Sequence, residues 1–142
     1  MAKHTTRGHL GTHTIVELFG CRNLNDLALV RDTLVEGAKL CGATILHTKF
    51  HQFSPQGLTG YILLAESHIS IHTWPEYGYA AVDLFTCGTM DTERAFAHIA
   101  KQLCAERVEK HILLRGPTDE FVPLEVDTPT FALATHEAQP SR

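Results

Sequence analysis

The sequence predicts an α+β fold, a two-layer α/β sandwich in which an antiparallel or mixed sheet carries two helices on one face. Segments rich in β-branched and aromatic residues alternate with two segments of helical spacing, in the order β-α-β-β and then β-α-β. An order of this kind groups the strands into one sheet with both helices on one side. The 142 residues suffice for one domain with a real core, and no linker divides them.

The first half begins with a strand and a helix. Thr14–Phe19 (TIVELF) is rich in β-forming residues and predicts the first strand. Across Asn25–Cys41 apolar residues recur at helical spacing, and Gly42 is placed to end the helix. Thr44–Phe53 and Leu58–Glu66 then predict two strands. The tetrapeptide SPQG between them favours a turn, because proline fixes φ and glycine permits φ > 0.

The second half repeats the pattern of strand, helix and strand. Tyr79–Cys87 predicts a strand, and Asp91 is a suitable N-cap for a second amphipathic helix. Val108–Leu114 predicts the last strand. Residues 117–142 contain four prolines, so we expect a loosely structured tail.

The predicted arrangement leaves one face of the sheet without helices. A second copy of the chain is the simplest cover for such a face. We therefore expect a homodimer, which is the first structural inference that bears on function.

Composition and charge narrow the classes of function. The net charge is −4 with histidine neutral, and lysine and arginine do not cluster, which argues against a nucleic-acid surface. The longest strictly apolar run, Tyr61–Ala65, is too short to span a bilayer, and the N-terminal residues lack a signal-peptide core. The four cysteines form no Cys-x-x-Cys pair, which fits a cytoplasmic compartment. Ten histidines are many for this length.

Polar residues concentrate in ESHISIHTWPE, residues 66–76. Such side chains are costly near a core unless they are partnered, so the stretch predicts a functional site. A turn through WPEYG would bring Ser67, His72 and Cys87 to one corner of the sheet. One interpretation is a hydrolase with Ser67, His72 and Asp83 as its triad. The Gly-x-Ser-x-Gly elbow of such enzymes is missing, which disfavours this interpretation.

A metal site is the second interpretation. Its candidate ligands are His47, His51, His68, His72 and Cys87. Histidines four residues apart on a strand share a face but lack the helical geometry of known zinc motifs. The sequence therefore predicts no metal, and a non-catalytic histidine-rich metal-binding module is the less favoured alternative.

The third interpretation rests on a resemblance to a known family. From Phe50 to Gly88 the run FHQFSPQGLTGYILLAESHISIHTWPEYGYAAVDLFTCG resembles prokaryotic pyruvoyl-dependent S-adenosylmethionine decarboxylase. Weaker similarity extends to GTHTIVELFGC and CGATI, so only the first ten residues and the tail after about Pro117 are excluded. The combination of ESH, IHTWPE, GYAA and FTCG is long and specific, and it outweighs the other two interpretations.

The resemblance implies that the chain makes its own cofactor by autocatalytic serinolysis. Ser67 would attack the carbonyl group of Glu66 and form an ester, and loss of the serine α-proton would then break that ester. The resulting dehydroalanine hydrolyses to a pyruvoyl group. The single decarboxylase domain would thus be cut into fragments 1–66 (beta chain) and 67–142 (alpha chain).

Three residues match processing and catalytic positions of the family. His72 matches the processing base, a role to which imidazole is suited. Thr59 stands where the family usually has a serine that supports processing; it keeps the hydroxyl donor but is stiffer at χ1, so slower processing is expected. Cys87 matches the proton donor of the decarboxylation, and without the motif it would be read as a buried hydrophobe.

The substrate that the resemblance implies is S-adenosylmethionine. Its amine would form a Schiff base with the pyruvoyl group, which would act as the electron sink when CO2 is lost. Phe53 matches the aromatic residue that stacks on adenine, Glu76 the residue that binds the ribose hydroxyls, and Trp74 lines the same pocket. Core packing is the alternative role for the two aromatic residues, and His68 is expected to be structural. The product would be the aminopropyl donor for spermidine synthesis.

Pyruvoyl-dependent arginine and ornithine decarboxylases of the same fold provide an alternative. Their substrates need an acidic partner and no purine stack, so Phe53, Trp74 and Glu76 favour S-adenosylmethionine. Family enzymes place the site at the dimer interface, which fits the uncovered face of the predicted sheet.

Overall fold

The computed structural model describes residues 8–120, which form one six-stranded sheet and two α-helices. In chain order the elements are β1 (His9–Phe19), α1 (Leu27–Leu40), β2 (Ile45–Gln52), β3 (Leu58–Leu64), β4 (Ser67–Trp74), β5 (Tyr79–Thr86), α2 (Thr92–Gln102) and β6 (Arg107–Pro117). Short 3-10 turns, Pro75–Tyr77 and Thr118–Glu120, follow β4 and β6. Neither α-helix of this part is long and apolar enough to cross a membrane.

The predicted α+β class is confirmed, with every strand pair antiparallel and one strand more than the sequence indicated. The added strand is β4, which carries the polar motif. Its Ile69, Ile71 and Thr73 are buried and alternate with more exposed residues, the pattern of a strand with one covered face. The tail predicted from Pro117 overlaps the end of β6, and its part beyond residue 120 lies outside the described residues.

The strands lie in the order β2-β3-β4-β5-β1-β6. The strands β2 to β5 form consecutive hairpins, whereas β1 inserts between β5 and β6. In β1, Thr14 pairs with Leu84 on one side and with Ile112 on the other. Strands from before residue 67 are therefore interleaved with strands that come after it.

Both helices pack on one face of the sheet and on each other, as the sequence predicts. The N-caps are Asp26 of α1 and the predicted Asp91 of α2, whose carboxylates accept hydrogen bonds from backbone N–H groups at 3.1 and 3.3 Å. Gly37 allows a close helix contact, because a Cβ there would lie 3.4 Å from Ile99. The core of this layer includes Val16, Leu18, Val30, Leu34, Ile62, Ile69, Ile71, Val82, Leu84, Phe96 and Ile99.

The opposite face of the sheet, hereafter the open face, has no helix over it within residues 8–120. The side chains that alternate with the core on β1, β3, β4 and β5 point to it: His13, Ile15, Glu17, Thr59, Tyr61, Leu63, His68, Ser70, His72, Trp74, Tyr79, Ala81, Asp83 and Phe85. Tyr61, Leu63 and Trp74 are 40%, 43% and 40% exposed. Large apolar side chains that are exposed together indicate a surface with a partner.

Candidate active site

Ser67 opens β4 directly after a turn at Ala65 and Glu66. Its φ is +151°, in a region that residues other than glycine rarely adopt and that costs about 1–3 kcal/mol. The sheet keeps Ser67 in this conformation through pairing with Leu64 on β3 and Thr86 on β5. The peptide bond that the sequence predicts to be cut therefore ends at a strained residue.

The carbonyl oxygen of Glu66 accepts two hydrogen bonds from Cys87. The backbone N–H of Cys87 donates at 3.2 Å and its thiol donates at 3.3 Å. The carboxylate of Glu66 accepts a further bond from the Thr44 N–H at 3.2 Å. Two donors on one carbonyl oxygen form an oxyanion hole, which stabilises negative charge that develops there. This contact depends on the register of β4 against β5, and no sequence motif indicated it.

A second group of predicted residues lies along β3 and β4. The Thr59 hydroxyl and His72 Nδ1 are 3.0 Å apart, because the two residues are direct partners across the strands. Both line a cavity of about 330 Å³ together with Phe53, Trp74 and Glu76. The structure thus brings together all five residues that the sequence placed around substrate and processing base.

The aromatic residues of this cavity are exposed, so core packing is not their role in the described chain. Phe53 is 49% exposed and lies edge-on to His51, with the ring centres 4.6 Å apart. Trp74 stacks on Tyr79 at 5.3 Å, and the Tyr79 hydroxyl donates to Glu17. Burial and this carboxylate raise the pKa of Tyr79 to about 12, so the phenol stays protonated as a donor.

The two groups lie apart within one chain. His72 lies five positions after Ser67 along β4, which corresponds to roughly 16 Å of extended strand. The prediction that Ser67, His72 and Cys87 share one corner is therefore wrong for a single chain, although Cys87 does reach the carbonyl next to Ser67. The reason is that β4 runs straight and pairs with both neighbours along its length.

A third polar group lies on the open face around Asp83. Its Oδ2 accepts from His13 Nε2 at 2.6 Å and from His68 Nε2 at 3.1 Å, and Oδ1 accepts from the Ser70 hydroxyl. Burial alone would raise the pKa of this carboxyl group. The hydrogen bonds from its three neighbours outweigh burial and hold the pKa of Asp83 below its ordinary value of 3.8.

These contacts also argue against the hydrolase and the metal-site interpretations. The hydrolase triad is not assembled, because His72 contacts Thr59 while Asp83 contacts other side chains. The five proposed metal ligands are dispersed as well: His47 lies against Tyr61, and His51 against Phe53. Among residues 8–120, His13, His68 and Asp83 form the only group of three or more candidate ligands whose ligand atoms all lie within 4.8 Å of one another.

Comparison with known proteins agrees with this geometry. A family model for S-adenosylmethionine decarboxylase matches residues 12–116, which include every site residue described above. The chain belongs to the S-adenosylmethionine decarboxylase family. The family that the sequence predicts is thus confirmed, and with it the class of enzyme, a decarboxylase.

Individual members of the S-adenosylmethionine decarboxylase family are similar over most of the chain. The proenzyme of Methanococcus maripaludis strain S2 is 49% identical over 114 residues, which cover 78% of this chain and 93% of that protein. The proenzyme of Thermosipho melanesiensis is 45% identical over 115 residues, covering 79% and 88%. The crystal structure of the Aquifex aeolicus VF5 decarboxylase superposes with a TM-score of 0.72 at 38% identity, covering 82% and 99%. The arginine or ornithine alternative receives no support from these comparisons.

Proposed function

We propose that the chain is an S-adenosylmethionine decarboxylase proenzyme that cuts itself between Glu66 and Ser67 and converts Ser67 into a pyruvoyl group. The observation that carries the proposal is the pair of Cys87 donors on the Glu66 carbonyl oxygen, beside a strained serine. The relatives are themselves named proenzymes, which supports a processed chain. We expect the cytoplasm as its compartment.

Self-cleavage begins with attack of the Ser67 hydroxyl oxygen on the Glu66 carbonyl carbon. A C–O bond forms, the peptide C–N bond breaks and the nitrogen of residue 67 becomes a free amine. Negative charge collects on the carbonyl oxygen during this exchange, where the N–H and thiol of Cys87 stabilise it. Loss of the strained peptide geometry at Ser67 favours the ester.

The ester is then broken by elimination. A base takes the α-proton of residue 67, a Cα–Cβ double bond forms and Glu66 leaves as a carboxylate. Water then converts the dehydroalanine into the pyruvoyl group and releases ammonia. We assign the base to His72, in the tautomer whose Nδ1–H donates to the Thr59 hydroxyl oxygen and whose Nε2 is therefore the acceptor.

The distance along β4 means that this base comes from a second copy of the chain. Two copies that meet through their open faces in antiparallel alignment place the Ser67 end of one over the His72 end of the other. The exposed Tyr61 and Leu63 lie between these ends and supply apolar area for the interface. Each site of the dimer then uses Ser67 and Cys87 of one copy with His72 of the other.

For decarboxylation, the pyruvoyl group supplies an electron sink to the carbon that loses CO2. The chain's own residues bind and orient S-adenosylmethionine. Phe53 offers an exposed ring for stacking on adenine, Glu76 lines the same cavity and can accept from ribose hydroxyls, and Trp74 closes one wall. The Cys87 thiol donates to the Glu66 carbonyl oxygen, beside the residue that begins the fragment 67–142, and can return a proton to the substrate carbon.

The first test is the denatured intact mass of freshly purified protein. We expect fragments 1–66 and 67–142, the second without a free amino terminus, and CO2 release from S-adenosylmethionine but not from arginine or ornithine. The Ser67→Ala chain should stay uncut and inactive, while Ser54→Ala, at an exposed serine in the loop before β3, should be cut normally. An uncut wild-type chain, or normal turnover by Ser67→Ala, would refute the proposal.

A further inference from the structure

We propose that Asp83, acting through His68, is a positioning residue that fixes the end of β4 at which the cofactor is made. The proposal rests on the proposed self-cleavage. The group formed by Asp83, His13, His68 and Ser70, hereafter the Asp83 network, connects three neighbouring strands on the open face.

His68 places the Asp83 network next to the proposed cleavage site. His68 is the residue that directly follows Ser67, and it lies opposite Phe85 on β5 and Leu63 on β3. After the cut, residue 67 becomes a chain end, and chain ends move unless they are tied down. The imidazole of His68, bonded to Asp83 at 3.1 Å, is then the side-chain anchor nearest to the new end.

The network is built to keep that imidazole in one orientation. The Ser70 hydroxyl and His13 also donate to the carboxylate, and these bonds keep it in one place. The ring of Phe85 contacts both imidazoles, with centre distances of 5.5 Å to His13 and 6.2 Å to His68. The side chains of Asp83, His13 and His68 are 23%, 19% and 38% exposed, so solvent competes only in part for their hydrogen bonds.

The same contacts join the two products of the cut. Asp83 and His68 belong to the fragment 67–142, whereas His13 lies on β1 in the fragment 1–66. The 2.6 Å bond between His13 and Asp83 therefore links the two fragments beside the new chain end. A small displacement of a reacting group lowers rates strongly, so the anchoring of the new chain end through His68 should affect both self-cleavage and turnover.

A matched pair of variants tests the inference. His68→Ala and His13→Ala each remove one imidazole from the same carboxylate, but only His68 adjoins the serine. We expect His68→Ala to slow the appearance of the fragment 67–142 at least about tenfold, and to lower kcat with little change in KM. His13→Ala should have a clearly smaller effect on both rates, although it should lower the free energy of unfolding by a similar amount.

Further variants keep the test decisive if one of the pair folds poorly. His68→Gln retains a donor toward Asp83 and should recover part of the cleavage rate, while Asp83→Asn, which keeps the shape of the side chain, should slow cleavage as His68→Ala does. Equal cleavage rates in His68→Ala, Asp83→Asn and the wild type would overturn the inference. So would equal slowing in both histidine variants, which would indicate a purely structural role.

The same three residues form the one candidate metal group found among residues 8–120, so a chelator control is included. Cleavage in the presence of EDTA should match cleavage without it if hydrogen bonds do the positioning. A rate that falls with EDTA and returns with Zn²⁺ would overturn the inference in favour of a metal site. A wild-type chain that is never cut would contradict the proposed self-cleavage itself, which is a distinct outcome.

Discussion

Ser67 has a φ of +151°, a backbone conformation that is unfavourable for a residue with a side chain. A cost of about 1–3 kcal/mol at this position destabilises the intact peptide relative to the ester. The neighbouring Cys87 donors already point at the oxygen on which charge will develop, so no reorganisation is required when attack occurs. Both features belong to the uncut chain and support the proposed processing.

Cys87 should therefore affect self-cleavage as well as turnover. We expect Cys87→Ala, which removes the thiol donor and keeps the N–H donor, to slow cleavage about tenfold to a hundredfold. Cys87→Ser retains a hydroxyl donor and should be cut faster than Cys87→Ala. The rates are measured by mass spectrometry of newly translated chains. Wild-type cleavage of Cys87→Ala would show that the thiol contact does not contribute.

The depressed pKa of Asp83 predicts how stability depends on pH. A carboxyl group whose folded pKa lies below its ordinary value of 3.8 adds stability above that pH, and the contribution disappears as the pH falls through the folded pKa. We expect Asp83→Asn to lower the free energy of unfolding by about 1–2 kcal/mol at neutral pH. The difference from the wild type should shrink below pH 3.8.

Urea unfolding at neutral pH and at about pH 3 checks this prediction. Both chains carry Ser67→Ala, so that a single polypeptide unfolds. Asp32→Asn, at an exposed carboxylate of α1, is the control and should change stability by only a few tenths of a kcal/mol. A difference between wild type and Asp83→Asn that stays constant with pH would contradict the assignment.

At the scale of elements, the helices and five strands were predictable because each carries a local pattern. The Asp91 cap begins α2 and the glycine after α1 follows its end, both as expected. The strand β4 was not predicted, because the polar residues at its less buried positions obscure the strand periodicity of Ile69 and Ile71. The resemblance singled out Phe53, Thr59, His72, Trp74 and Glu76, which line one cavity in the structure. The oxyanion contact and the Asp83 network depend on the register between strands, which no local pattern encodes.

The contact of β2 with β3 gives a prediction of its own. Gly60 faces the core layer beneath the ring of Phe50, and a Cβ at this glycine would overlap that ring. We expect Gly60→Ala to destabilise the uncut chain by about 1–3 kcal/mol, because the ring must move. Gly88→Ala is the control, since the nearest atom to its Cβ would be 3.8 Å away, an ordinary contact. Urea unfolding in the Ser67→Ala background compares them, and equal stabilities would contradict the packing argument.

At the scale of the whole molecule, the proposed division of the site between two copies would make complementation possible. Neither Ser67→Ala nor His72→Ala should be cut when expressed alone. In a mixed dimer, one site receives both substitutions and the other receives neither. The intact site contains Ser67 of the His72→Ala chain, so co-expression should lead to cleavage of that chain only.

Tags of different mass on the two chains identify the cut one. Ser67→Ala co-expressed with itself is the control and should remain uncut. If mixed dimers form and no chain is cut, then the base does not come from the second copy. Cleavage of His72→Ala expressed alone would remove His72 from the mechanism.

The insertion of β1 between β5 and β6 affects how the two fragments would be produced and whether they could refold together. In the proposed self-cleavage, both fragments are already part of one sheet before the chain is cut, so they would arise in a one-to-one ratio without any control of synthesis. After denaturation, the two fragments would have to associate again, and β1 would have to insert between β5 and β6. The yield of refolded protein would therefore depend on protein concentration. This topology therefore favours a chain that folds before it is cut, because the sheet then forms within one chain at any protein concentration.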